Sequence, residues 1–306
     1  MPAYVIWTCY FTRSEKGPLT PLLDLMRKDA RFEMLTYNFT GKNITLDFLK
    51  EHFAAVRPDM VICGFDRPEM VPVAYAAYHA GIPIAQIFAG DLAGGAWDDA
   101  DRFAISQYAS LLFVSGKAQK KRLEKALSWR KEMNMPPEIV ISGATHFDEM
   151  NVTPAPNVCA VDCYNVVLYN PPSLLGPEGI IKELDEILDI IGSERTFWFE
   201  PNGDENSDLV MDYVGSKERR NIILRKNMDR SKFLGYLMNC RRFIGNSSAM
   251  FYEGQAFGAE KIQIGVRNAH REPIEPEYAR AGASKCISEN IYNYLERCNG
   301  DNRTRG

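Results

Sequence analysis

The 306-residue sequence predicts an α/β protein of two doubly wound domains, and three observations carry that prediction. Between Arg57 and Lys117, short apolar runs at Met60 to Cys63, Ile84 to Phe88 and Leu111 to Ser115 alternate with longer stretches of helical spacing. That alternation marks β-α-β units of a parallel sheet. A second series of the same kind starts at Asn165. Between the two lies Asn151 to Asn157, NVTPAPN, a segment without apolar period that reads as a linker. The domains are therefore placed at 1–155 and 156–306. Two such Rossmann-like domains face a central cleft, where small-molecule sites occur preferentially.

Each element follows in order. Ala3 to Thr8 is a strand, and Cys9 to Gly17 a turn. A helix follows with Pro18 in its first turn, where the missing N–H had no partner, and Leu19, Leu22, Leu23, Leu25 and Met26 on its apolar face. Phe32 to Tyr37 is the next strand. Thr45 caps a helix running to Val56, whose core positions are Leu46, Phe48, Leu49, Phe53 and Val56. Beyond the central stretch, Lys117 to Ala126 reads as a helix whose basic residues, Arg122 among them, form a solvated face. The first series closes with a strand from Glu138 to Ser142. The second has strands at Asn165 to Tyr169, Thr196 to Phe199, Asn221 to Leu224, Arg242 to Ile244 and Lys261 to Ile264. Its helices fall at Pro177 to Ile191, Ser231 to Asn239 and Ser288 to Arg297.

Composition narrows the function. Hydrophobic residues make up 45% and charged residues 25%, ordinary for a globular enzyme, and the net charge of −4 gives no sequence-wide reason to expect a nucleic-acid or membrane-surface partner. No run approaches the roughly 20 apolar residues of a membrane helix, and the N-terminus enters a strand without a basic leader, so a cytoplasmic protein is expected. The seven cysteines contain no CxxC pair and read as reduced buried thiols. With only four histidines, no metal site is expected. The oligomeric state, a homodimer included, stays open.

In an open parallel sheet the ligand sits outside the carboxyl ends of the strands. Gly64-Phe65-Asp66-Arg67 and Ala89-Gly90-Asp91 are therefore expected to face one crevice, with Asp98, Asp99 and Arg102 entering it. The aspartates suit acid/base work, although each one singly also suits a helix N-cap. Gly245-Asn246-Ser247-Ser248, between a strand and a following helix, can hold a phosphate on backbone N–H groups and hydroxyls, or can be a plain serine cap. Glu253 can accept the two hydroxyls of a ribose or be a solvated carboxylate. Arg13, Arg267 and Arg271, at other strand ends, suit charge-assisted bonds to a diphosphate.

These residues carry a family resemblance. Gly64 to Met70, Gly81 to Ala85, Gly95-Ala96-Trp97-Asp98-Asp99 with Arg102, and Gly245 to Ser248 with Glu253 are similar to the UDP-N-acetylglucosamine 2-epimerase family, nearest its hydrolysing branch. Arg13, Ser142-Gly143-Ala144, Pro201-Asn202-Gly203-Asp204 and Arg267 fall in the matching order. The resemblance implies the glycosyltransferase-B-like fold and a UDP-sugar as substrate, with no separate cofactor. It implies that Asn246, Ser247, Ser248, Glu253, Arg13, Asn202 and Arg267 contact the ligand, and that Asp66 and Asp98, with Asp99 and Arg102, form the acid/base set.

The sequence departs from that pattern where proton chemistry is concerned. Phe88 stands where the family carries an acidic residue or histidine, and Tyr169-Asn170-Pro171 replaces Tyr-His-Pro. Asn170 can orient a substrate but not exchange a proton. Phe103 and Gln107 replace a histidine and a lysine. The expected activity is conversion of UDP-N-acetylglucosamine to UDP and N-acetylmannosamine. A glycosyltransferase on the same scaffold and a non-catalytic nucleotide-sugar binder are the alternatives.

Overall fold

The apolar runs become two parallel sheets, one in each of two units. The computed structural model describes residues 3–94, 98–155, 163–203 and 205–304, apart from the side chains of Arg13 and of 301–304. The first unit comprises 1–91, 98–149 and 274–306, and the second 92–97 and 150–273.

In the first unit the order is β1 (Tyr4–Tyr10), α1 (Arg13–Arg27), β2 (Phe32–Asn38), α2 (Leu46–Val56), β3 (Met60–Gly64), α3 (Met70–His79), β4 (Ile84–Ile87), α4 (Asp98–Tyr108), β5 (Leu111–Val114), α5 (Lys117–Ala126), α6 (Ser128–Glu132) and β6 (Glu138–Ile141). The second contributes β7 (Asn165–Leu168), α7 (Pro177–Ile191), β8 (Thr196–Phe199), α8 (Ser207–Ser216), β9 (Ile222–Arg225), α9 (Arg230–Leu237), β10 (Arg242–Gly245), α10 (Glu253–Phe257) and β11 (Glu260–Gln263). A final helix, α11 (Ala283–Thr304), ends the described chain.

Every strand pair is parallel. The sheets run β2-β1-β3-β4-β5-β6 and β11-β10-β7-β8-β9. Strands β3, β4 and β5 are buried along their whole length, because helices cover both faces of such a sheet, and this is why they read as unbroken apolar runs. Strand order reverses between β1 and β3 in one sheet and between β7 and β10 in the other. A doubly wound sheet opens a crevice at that reversal.

Several expectations are corrected. Helix α1 starts at Arg13, five residues before Pro18, because Thr12 and Glu15 form a capping box, so Pro18 and Pro21 lie inside the helix. Thr45 does cap α2, its Oγ1 accepting from Phe48 N at 3.2 Å. Leu49 and Phe53 are buried, but Phe48 is 44% exposed. Residues 150–155 are no loose linker: Met150, Val152 and Ala155 pack on the second core, and Thr153 N donates to Ser231 O at 2.9 Å. Arg122 does not simply face solvent, since its Nη1 donates to Gly90 O. Cys163 is disulfide-bonded, whereas Cys9, Cys63, Cys286 and Cys298 are free thiols.

The largest correction concerns the domain boundary. Residues 274–306, expected in the second domain, belong to the first. Helix α11 returns to the start of the chain, where Arg31 pairs with Glu289 at 2.6 Å and lies 4.5 Å from the Tyr292 ring, and Tyr4 OH donates to Glu296 Oε1 at 2.5 Å. Its own Ile287, Ile291 and Leu295 are buried. The helix begins earlier than Ser288 because buried Asp148, from the segment after β6, accepts from Gly282 N at 2.5 Å and Ser284 N at 2.6 Å. A carboxylate thus satisfies two helix-start donors.

Replacing it tests whether this contact fastens the last helix to the first unit. Asp148→Ala strands both donors and is expected to cost about 1–3 kcal/mol, with Asp148→Asn costing less. Urea denaturation followed by circular dichroism measures it, and a midpoint unchanged in both variants would refute the role.

Candidate functional site

The strand ends of the first unit gather carboxylates around a buried arginine. The β3–α3 turn presents Asp66, which is 21% exposed, and Arg102 of α4, 3% exposed, donates to it through Nη2 in an ion pair. Gln86, fully buried on β4, holds Arg102 from behind: its Nε2 donates to Arg102 O at 3.0 Å, and its Oε1 accepts from Ser106 Oγ at 2.6 Å. The first turn of α4 is thereby pinned beside β3. Asp98 and Asp99 stand half-buried in that turn. Next to them burial, then the charges of Asp98 and Glu69, raise the Asp101 carboxyl above its usual range. Glu69 is itself paired with Arg67 at 3.3 Å. Asp101 and Glu69 thus join the cluster, although they were not singled out from the sequence. The i,i+3 spacing of Asp98 and Asp101 was a visible signal for the former.

Glu15 feels the charge of Arg67 in the same β3–α3 turn. At 4% exposure it accepts from Phe11 N at 2.7 Å and Thr12 N at 2.8 Å at the carboxyl end of β1. Burial raises its carboxyl, against the pull of those N–H groups and of Arg67. Arg13 is the first residue of α1, and its side chain lies outside the described residues, as do Gly95, Ala96, Trp97 and Asp204. Phe88 is not the last residue of β4. It forms the turn after it, buried, with its ring against those of Phe65 and His146. Gln107 faces α6 instead, its Oε1 accepting from Trp129 Nε1 at 3.0 Å.

The second unit brings amides together at its strand reversal. Asn246, after β10, accepts from Asn170 N and donates from Nδ2 to Asn170 O, both at 2.8 Å. Asn170 Oδ1 accepts from Asn202 N at 2.9 Å, after β8. Asn268 Nδ2 donates to Asn246 O at 2.6 Å, and Arg271 donates to Asn268 Oδ1 and to Tyr252 OH, each at 2.8 Å. Four asparagines thus tie the loops after β7, β8, β10 and β11. Gly245 permits the junction, with φ 135° and only 2.2 Å between the place of a Cβ and Leu168 O. Arg267 Nη1 donates to Pro171 O at 3.2 Å on the same rim.

The helix expected after Ser248 is replaced by a 3-10 turn, Ser248–Met250, and the five-residue α10. Ser247 Oγ accepts from Ala249 N at 3.3 Å, so it caps the turn. Any anion here is held by hydroxyls and loop N–H groups, since so short a helix has little dipole. Glu253 opens α10 at 5% exposure, and is therefore no solvated carboxylate. Arg230 pairs with it through Nε at 3.2 Å, while Oε2 is buried without a hydrogen-bond partner among the described residues. Burial pushes its carboxyl up, and Arg230 pulls it down by less. Among the described residues no group of three or more His, Cys, Asp or Glu is arranged to hold a metal ion, and no helix is long and apolar enough to cross a membrane.

The chain is similar to known proteins in sequence and in fold. The family model described as UDP-N-acetylglucosamine 2-epimerase matches residues 39–304. A Campylobacter jejuni protein, GDP/UDP-N,N'-diacetylbacillosamine 2-epimerase (hydrolyzing), is 28% identical over 240 residues, covering 75% of this chain and 62% of that protein. The chain spans about three fifths of the length of the curated relatives it matches. In fold it is similar to the S. aureus MnaA structure with UDP (TM-score 0.76, 17% identity, 96% of this chain and 97% of that one). It is likewise similar to the Neisseria meningitidis UDP-GlcNAc 2-epimerase bound to UDP-GlcNAc (TM-score 0.70, 14% identity, 95% and 91%).

The Glu253 carboxyl gives a pH prediction. It is raised in the folded chain above the roughly 4.3 of an unfolded glutamate. Between the two values the folded chain keeps a proton that the unfolded chain has lost. Its contribution is therefore complete below about pH 4.3 and is lost as pH rises through the folded value. Glu253→Gln abolishes that loss, so its stability relative to the parent should grow from acid to neutral pH in urea denaturation. Parallel pH profiles would refute a buried, raised carboxyl.

Proposed function

Because the chain belongs to the UDP-N-acetylglucosamine 2-epimerase family, we propose that it is a hydrolysing 2-epimerase acting on a UDP-linked N-acetylated sugar. The observation that carries this reading is the division of labour between the two strand-end clusters. One is acidic around a buried arginine, and the other is made of amides, hydroxyls and arginines beside a buried glutamate. The second suits a nucleotide diphosphate: Ser247, Ser248, Arg267 and the Asn246 loop offer donors to phosphate oxygens, and Glu253 Oε2 offers an acceptor to ribose hydroxyls. Arg13 is assigned to the ligand by the family resemblance alone.

The first cluster suits the sugar chemistry. A carboxylate removes the proton at C2 while the C1–O bond breaks, its electron pair leaving on UDP, and C1 and C2 become doubly bonded. Water then adds its hydroxyl to C1, and a proton returns to C2 from the opposite face. Asp66 is the base in this reading and Asp98 the acid and water-activating group, with Asp99 beside it. Arg102 fixes Asp66 in place. No step calls for a metal or organic cofactor. Phe88 and Asn170 supply no proton, so the aspartates carry the whole acid/base load.

Two measurements test this. UDP at 100 times its Kd stabilises a protein that binds it only when folded by about 2.7 kcal/mol, so a rise in Tm of a few degrees is expected, reduced in Glu253→Ala. No shift with millimolar UDP would refute the nucleotide assignment. In deuterated water, UDP-N-acetylglucosamine or its N,N'-diacetylated counterpart should give free UDP and a C2-deuterated epimer. Asp98→Asn should lower that rate by at least about 100-fold, the usual scale of a general acid or base, with Tm and UDP binding kept. UDP release that depends on an added acceptor, without deuterium at C2, would favour a glycosyltransferase instead.

A further inference from the structure

The two turns that lead to the acidic cluster share an unusual feature. Phe65, after β3, has φ 70°, and Phe88, after β4, has φ 57°. Left-handed backbone is an outlier for a bulky aromatic residue and persists only where the surroundings over-determine it, as at ligand clamps. Glycine would adopt either conformation without strain, yet both turns carry rings. The rings touch, with centroids 5.0 Å apart and planes 31° apart, and Phe88 then meets the His146 ring edge-on at 4.9 Å. Phe88 is 6% exposed, but Phe65 is only half-buried, and it directly precedes Asp66, whose carboxylate pairs with Arg102. The strained backbone therefore sets an aromatic surface beside the carboxylate assigned to the sugar.

Resting on the UDP-sugar reading, we propose that this aromatic wall is a specificity element that selects a hexose turning methyl groups toward it, at acylated or deoxygenated positions, over one turning hydroxyl groups. A hydroxyl laid on ring faces gives up water without an equal replacement, whereas a methyl group gains from the same burial. Where a pocket is apolar, one methyl or methylene group discriminates by about 10- to 200-fold. The backbone strain fits this role, because it fixes the ring of Phe65 ahead of binding rather than leaving it to settle against the ligand.

The test uses the whole chain with two probes, UDP-N-acetylglucosamine and UDP-N,N'-diacetylbacillosamine. The second bears one acetyl group more and a methyl group in place of the hydroxymethyl. Affinities come from displacement of bound UDP, and kcat/KM from initial rates of UDP release. The diacetylated probe should be favoured at least about 10-fold. Phe65→Gly, suited to φ 70°, should bring the ratio close to one while leaving the affinity for UDP itself unchanged. Phe65→Asn, a second residue that tolerates left-handed backbone, should do the same and guards against a folding defect in the glycine variant. Equal affinities in the parent chain, or a preference that survives both substitutions, would overturn the proposal. Failure of UDP to bind at all would remove the nucleotide-sugar reading, and the proposal with it.

Discussion

The ion pair between Arg102 and Asp66 is the contact on which the acidic cluster depends. A guanidinium at 3% exposure has lost nearly all its water, and a charge in that position needs an anion at hydrogen-bonding distance. Removing one partner of such a pair costs about 3–5 kcal/mol, a large share of the roughly 5–15 kcal/mol that holds a domain together. The pair also sets direction. Since Arg102 belongs to α4 and Asp66 to the turn after β3, satisfying the charge fixes where α4 starts, and with it where Asp98, Asp99 and Asp101 stand. Gln86 and Ser106 complete the arrangement by holding the Arg102 carbonyl. The positions of these carboxylates thus follow from a scaffold that has a buried charge to satisfy.

The second unit solves the same problem without net charge. Its strand reversal is bridged by Asn170 and Asn246, each using side chain and backbone together, and the chain of amides continues to Asn202 and Asn268. Asparagine has a donor and an acceptor on one short side chain, so it can copy a backbone pairing where two parallel strands diverge. A buried network of this type is costly if half satisfied and rigid if complete. Loops that present several N–H groups to one anion, as proposed for this unit, gain from that rigidity, because no ordering cost is left for the moment of binding.

Much of this was legible in the sequence, and what was not has physical reasons. Strands β3, β4 and β5 announced themselves because two-sided burial demands unbroken apolar runs, and Thr45 announced α2 because capping is local. The start of α1 was misplaced because Pro18 is a louder signal than the capping box of Thr12 and Glu15, although the box prevails in the structure. The return of α11 to the first unit could not be read from position. It depends on Asp148, Arg31 and Tyr4 meeting residues more than a hundred places away. The candidate site shows the same split. Motif order brought Asp66, Asp98, Ser247 and Glu253 into view, but not the pairing of Asp66 with Arg102, 36 positions apart, nor that of Glu253 with Arg230. Nor does any sequence rule point to a phenylalanine at positive φ, since propensity argues against it.

Two of the departures from the family pattern, at Asn170 and Phe88, have different physical meanings. At Asn170 the backbone N–H and C=O and the side-chain oxygen all serve the junction with Asn246 and Asn202. The amide at this position is therefore accounted for by the junction it holds together. Phe88 has no such explanation. Its backbone is strained, and burial of a ring could have been had on the strand without left-handed geometry. Its ring meets those of His146 and of Phe65, the residue that directly precedes Asp66. The aromatic ring at position 88 belongs, in the reading proposed above, with recognition of the sugar. In the proposed reaction the proton work falls to the aspartates, of which Asp66 is paired with Arg102.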